Sequence, residues 1–154
     1  MRRHVLVVLA LAMTIPVFAR AQASCSKPVD ACAFVDTFLS ALNRQDWPAF
    51  RRTLDDSISV FLENPAPVQR LDGRPAAESL FVNIFTPPAD RSSPLPPAFV
   101  PEHLRAQDFG SVVVVTFELR RPQALSRRTL VLSRGPTGWH VVHIHGSARP
   151  SPEG

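Results

Sequence analysis

Gly138-Trp139-His140-Val141-Val142-His143-Ile144-His145-Gly146-Ser147 holds three of the five histidines and one of the two tryptophans of this 154-residue chain. The run reads as a strand, and successive side chains of an extended chain point to opposite faces. Trp139, Val141, His143, His145 and Ser147 are therefore expected on one face, and His140, Val142, Ile144 and Gly146 on the other. Gly135-Pro136-Thr137-Gly138 is a hairpin turn signal, so the strand pairs back onto residues 126–134. Two further runs, 102–109 and 111–120, meet at a tight glycine-associated turn or bulge at Phe109-Gly110.

Upstream the period changes from two to helical. Phe34, Phe38 and Leu42 stack at i, i+4 and i+8, with Val35 and Leu39 beside them, so 31–43 is a helix that Asp30 can cap. A second short helix follows, with Asp46 as cap, Pro48 in its first turn, and Ala49, Phe50 and Leu54 as its apolar side. Asp55-Asp56 breaks that pattern as a solvated turn, and residues 57–63 alternate as a strand with Ile58, Val60 and Leu62 on one face. Residues 64–67 turn the chain, and 68–71 return as a short strand. Asp72-Gly73-Arg74-Pro75 opens a third helix with the stripe Ala76, Ala77, Leu80, Phe81, Ile84 and Phe85. Residues 87–101 hold six prolines and read as a long surface loop, and the tail after Ser147 reads as loose. Helices come first and antiparallel strands last, so the class is α+β.

Residues 1–23 read as a signal peptide. Arg2 and Arg3 precede an apolar run from Val5 to Phe18, and Ala21-Gln22-Ala23 offers a cleavage point. The run is short for a membrane span, so a periplasmic or secreted protein is expected, with 24–29 as an N-terminal segment, 30–149 as one domain and 150–154 as a tail. Without Arg2, Arg3 and Arg20, 14 basic side chains face 13 acidic ones, and the remaining arginine pairs are scattered. Nucleic-acid binding needs a concentrated basic face, so no nucleic acid and no membrane span are expected. Export favours a disulfide between Cys25 and Cys32, with a lipid on Cys25 or two free thiols as the alternatives.

The order of elements and several local motifs resemble the nuclear transport factor 2-like superfamily. The SnoaL-like group is nearest within it, together with the association domain of calcium/calmodulin-dependent protein kinase II. The resemblance rests on Phe34 and Phe38 in the opening helix, Asp46-Trp47, Asp55-Asp56, Leu71-Asp72-Gly73-Arg74, and the closing run from Trp139 to Ser147. It covers about residues 30–149. It implies a cone-shaped barrel formed by a curved, mainly antiparallel sheet, with the N-terminal helices packed on its concave face. It also implies a pocket between sheet and helices, and usually a homodimer. The superfamily holds isomerases, cyclases, hydratases and scaffolds, so fold alone does not give function. The tyrosine donor of ketosteroid-isomerase-like sites has no counterpart, because the chain has no tyrosine. The pocket arginines of the kinase association domain fall on Leu130 and Gly146.

These readings set the candidate residues. Phe38, Phe81, Phe85, Leu130, Leu132, Val142 and Ile144 are expected to line an apolar pocket suited to an apolar small molecule. Trp139, His143 and His145 are expected at a dimer interface, with Trp139 also a packing anchor. His143 and His145 stand about 7 Å apart along the strand. They would need a third ligand such as Glu118 or His103 to hold a metal, so neither metal nor cofactor is expected. For acid–base chemistry the candidates are Asp55, Asp108 and His140, none picked out by a motif. The expected function is an exported, non-catalytic small-molecule-binding or interaction module. The alternative is a small isomerase, cyclase or hydratase with an Asp or His base.

Overall fold

The computed structural model describes residues 29–62, 70–85, 98–121 and 124–150. The expected signal peptide, Cys25, the expected 64–67 turn, most of the proline-rich stretch and residues 151–154 lie outside the described residues.

Helix α1 spans Val29–Asn43, α2 Trp47–Arg52 and α3 Arg74–Phe85. The strands are β1 Leu54–Phe61, β2 Arg70–Asp72, β3 Glu102–Asp108, β4 Val112–Arg121, β5 Ala124–Gly135 and β6 Gly138–Pro150. Asp30 lies within the first turn of α1 rather than at its cap; its Oδ1 accepts from the Ala31 N–H at 2.9 Å. Asp46 caps α2 as expected, accepting from the Ala49 N–H at 3.0 Å, and Pro48 sits at the tolerated start of that helix. Gly73 makes the turn into α3 with φ +85°, and its N–H donates to Ile58 O at 2.7 Å. A side chain with Cβ is strained at that φ.

The six strands form one mixed sheet in the order β2-β1-β6-β5-β4-β3. Among the described residues only β1 and β6 run parallel; every other neighbouring pair is antiparallel. The sheet is not closed: β2 and β3 are its edges. The last strand in the sequence is thus central. It continues past Ser147 to Pro150, where it pairs with Ala124, so the chain is ordered beyond the expected start of the tail.

The decisive departure from simple alternation lies in β6. Leu132 pairs with Val141 and Val131 with His143, leaving Val142 without a partner on β5. One extra residue in a strand is a β-bulge, and it shifts the side-chain phase. Trp139 and Val141 before the bulge are buried on the same side as Ile144 and Gly146 after it, while His143 is half-buried and His145 exposed. The expected face containing Trp139, Val141, His143 and His145 therefore does not exist as one face. Strand β1 is also irregular: the register against β6 shifts between Leu54 and Ser59. Asp55-Asp56 lies inside β1 at this irregularity, not in a turn before the strand.

The helices cover one side of the sheet. The core joins Val35, Phe38 and Leu39 of α1, Phe50 of α2, Ala77, Phe81 and Phe85 of α3, and the helix-facing residues Ile58, Val60, Val113, Val115, Leu130, Leu132, Val141 and Ile144. Phe50 is fully buried at its centre, with ring centroids 5.1 Å from Phe38, 5.0 Å from Phe81 and 4.9 Å from Phe85. Such ring pairs add about 0.5–1.5 kcal/mol each beyond area burial. Cys32 is buried and disulfide-bonded.

Candidate functional site

Polar groups gather in three places around this core. The first is the β1 irregularity. Asp55 Oδ1 accepts from the Ser57 hydroxyl at 2.7 Å and the Ser57 N–H at 2.8 Å. These bonds hold the Asp55 carboxyl below its usual pKa, with His140 and Arg74 adding attraction. Arg74, at the start of α3, donates from Nη2 to Leu54 O at 2.5 Å. Its Nε lies 3.0 Å from Asp56 Oδ1, an ion-pair contact without hydrogen-bond alignment. His140 Nε2 contacts Thr137 Oγ1 at 3.3 Å. The structure thus brings Asp55 and His140 together, with an arginine the residue pattern did not single out. Asp108 stands apart: it is exposed at the end of β3, where its Oδ1 accepts from the Gly110 N–H at 2.8 Å.

The second place joins the hairpin end of β6 to α1. Trp139 is only 8% exposed within the single chain, so it is an internal anchor rather than part of the expected interface. Arg134 stacks over its ring at 4.5 Å and pairs with Asp30. Trp139 Nε1 is buried without an aligned hydrogen bond, yet its N–H is close enough to the Asp30 carboxylate to help stabilise that charge. The Val142 bulge is what turns Trp139 inward.

The third is the side of the sheet away from the helices. His143 Nδ1 lies 2.8 Å from Ser59 Oγ. The Phe61 ring lies 6.3 Å from both imidazoles, His143 and His145. Burial lowers the His143 pKa, and the nearby charges of His145 and Arg70 lower it further. Arg70 and Asp72 pair at 2.7 Å on β2. Farther along the same face, Glu118 receives His103 at 2.9 Å and lies 3.5 Å from Arg127. The bond from His103 holds the Glu118 carboxyl below its usual pKa, against a small upward pull from burial. The proposed third metal ligands thus engage each other on β3 and β4, with β5 between them and His145. No group of three or more His, Cys, Asp or Glu able to hold a metal ion occurs among the described residues.

The expected pocket residues divide. Phe38, Phe81, Phe85, Leu130, Leu132 and Ile144 are all buried in the shared core. Val142 is half-buried and belongs to the bulge, because the phase shift takes it off the helix-facing wall. That wall carries a charge which pattern reading missed. Arg128 crosses over Gly146: a Cβ at 146 would stand 2.7 Å from Arg128 Nη1 and 2.7 Å from Leu62 Cδ2. The glycine leaves room for a guanidinium supplied by the neighbouring strand, and Arg128 Nη1 donates to Arg127 O at 2.9 Å. The signal was present in the sequence only as Gly146 opposite Arg128, a pairing visible once the register is known.

No curated protein is similar enough to this chain to count as a match. Solved structures share its fold. An NTF2-like protein of unknown function from Pseudomonas putida KT2440 superposes with a TM-score of 0.66 at 18% identity, covering 84% of this chain and 93% of that one. The CaMKII hub of S. rosetta gives a TM-score of 0.60 at 20% identity, covering 82% and 99%. A candidate dehydratase of the NTF2-like family from Streptomyces avermitilis gives 0.62 at 19% identity, covering 79% and 95%. At these identities the likeness speaks for the fold. The sequence itself matches the SnoaL-like domain model over residues 32–151, from the first turns of α1 to just past the end of β6. With helices leading, a mixed sheet whose last strand lies at its centre, and that match across most of its length, the chain belongs to the SnoaL-like domain family.

Proposed function

We propose that this protein is an exported, non-catalytic module that binds a partner or a small apolar molecule, and that its first partner is a second copy of itself. The observation that carries this reading is the contrast between a hydrocarbon interior and an ionised surface. Phe50 and its ring neighbours make the joint between helices and sheet a hydrocarbon surface. Asp30, Asp55 and Glu118 all have lowered pKa values. A carboxyl that serves as a general acid or base near neutrality is shifted the other way, by burial among apolar groups. The disulfide at Cys32 supports an oxidising compartment, periplasmic or secreted.

Two measurements test this reading. The purified exported protein should begin at Ser24; a chain that retains Met1 removes the export claim. A thermal-shift screen of lipophilic compounds should raise the melting temperature by at least about 2 °C for a true ligand. A flat screen removes the small-molecule arm.

The alternative reading, a small isomerase, cyclase or hydratase, draws on the grouping of Asp55, His140 and Arg74. It requires His140 and Asp55 to titrate as a linked pair. An NMR titration of His140 that is unchanged in Asp55→Asn would end it.

A further inference from the structure

Register lays the helix-facing side of the sheet out in rows. Leu71, Val60, Ile144, Leu130 and Val115 form one row from β2 to β4, buried except for Leu71 at its edge. The next row toward the end of β4 holds Gly146, Arg128 and Phe117, with Leu62 beside Gly146. The row after it carries Ser126 and Leu119, 6% and 3% exposed. From Leu132 to Ser126 on β5, and in the residues paired with this side of it, Arg128 is the one cation among the described residues. Its sheet neighbours Phe117, Leu130, Ser126 and Gly146 are buried, while Arg128, Leu62 and Leu71 are half-buried. The guanidinium and two leucines therefore stand together where the covered apolar wall meets water.

We propose that Arg128 is an anion-binding group and that the ligand of this protein is a small carboxylic acid with an apolar body, its carboxylate on the guanidinium and its body on Leu62 and Leu71. The proposal rests on the small-molecule reading above and names the class of ligand. Room for the guanidinium is built into the sheet. A Cβ at Gly146 would stand 2.9 Å from Arg128 Cζ as well as 2.7 Å from Nη1, closer than side chains pack. Backbone oxygens orient the group: Nη1 donates to Arg127 O at 2.9 Å and reaches Ser147 O at 3.5 Å. The guanidinium is thereby drawn across Gly146 toward Leu62.

The chemistry selects an acid over a neutral molecule. An uncharged apolar ligand on Leu62 and Leu71 would cover part of the guanidinium and cost its hydration. A carboxylate replaces that hydration with charge-assisted hydrogen bonds, and the planar donor fork of arginine matches its two oxygens. The weak hydration of a guanidinium also lets it lie against hydrocarbon, as Arg128 does beside Leu62. A single cation matches a single negative charge, whereas a phosphate monoester brings nearly two.

Isothermal titration calorimetry of the purified protein at about pH 7.5, where carboxylic acids are ionised, separates the charge from the body. The probes are octanoate with octanamide, phenylacetate with phenylacetamide, and octyl phosphate. Each acid is expected to bind at least about tenfold more tightly than its amide. Arg128→Gln, with the fold checked by circular dichroism, should bring the acid down to the level of the amide and leave the amide unchanged. Gly146→Ala displaces the guanidinium and should weaken the acid in the same sense, which keeps the test open if Arg128→Gln does not fold. Acids and amides that bind alike overturn this proposal and leave the small-molecule reading standing. No binding by any probe overturns both. Octyl phosphate that binds more tightly than octanoate overturns the carboxylate class. An acid preference that survives the substitutions belongs to another group and overturns the role of Arg128.

Discussion

The two faces of the sheet are made from the same strands but obey different rules. Toward the helices, β4, β5 and β6 present Val113, Val115, Leu130, Leu132, Val141 and Ile144, and α1, α2 and α3 close over them with Phe38, Phe50, Phe81 and Phe85. Away from the helices, the same strands present Val114, Thr116, Thr129, Val131, His143 and His145, half-buried or exposed. The inner face is held by volume: each ring fills space its neighbours leave. The outer face is held by backbone pairing and a few polar contacts. What keeps the two apart is one residue, Val142, whose bulge lets a single strand send Trp139 and Ile144 to the same side.

Phe50→Ala is the most severe way to break this division. It opens a cavity at a fully buried ring, and the expected loss is about 3–5 kcal/mol by urea unfolding. Deleting Val142 tests the bulge itself. With the extra residue gone, regular alternation still carries Trp139, Val141, Ile144 and Gly146 on one face. The variant should therefore fold, and loss of a cooperative melt would show that the bend of the bulge is needed. Asp46→Ala removes the α2 cap and should cost about 1 kcal/mol in the same assay.

The outer face should behave differently. Thr129→Ala is expected to change stability by no more than about 0.5 kcal/mol, and a larger loss would show that this face is packed like the inner one. The smallest effect is a matter of pH. Asp55 has a lowered folded-state pKa, so its contribution is present above the unfolded value near 3.8 and is lost as the pH falls through the folded one. Asp55→Asn should therefore lower stability slightly at neutral pH and flatten the acid limb of the stability curve below that value.

Much of this division was legible in the residues. The stripes Val35–Phe38–Leu39 and Ala77–Phe81–Phe85 identify the helix faces that become buried, and Asp46 with Pro48 marks the start of α2. Helix periodicity survives in sequence because it is local. The phase of β6 was not legible. Val141-Val142 offers two similar residues, and nothing local says which one is extra; the pairing with Leu132 and Val131 decides it. That is why Trp139 was expected beside His143 and Val142 on the pocket wall. Asp55 and His140 were each visible as candidates, but their grouping with Arg74 depends on the irregular β1 register and the entry into α3. Arg128 over Gly146 is likewise a cross-strand fact.

The strand order has a temporal consequence. β1 comes early in the sequence but pairs in parallel with β6, which follows all the other strands and sits between β1 and β5. Until the C-terminal residues are available, β1 and β2 can form only an isolated two-strand pair, which is marginal in water. The sheet therefore cannot be completed until β6 has been made. The β1–β6 pairing joins residues far apart in the sequence, and such contacts form slowly. A chain of this design keeps the inner edge of β1 open until β6 arrives to fill it.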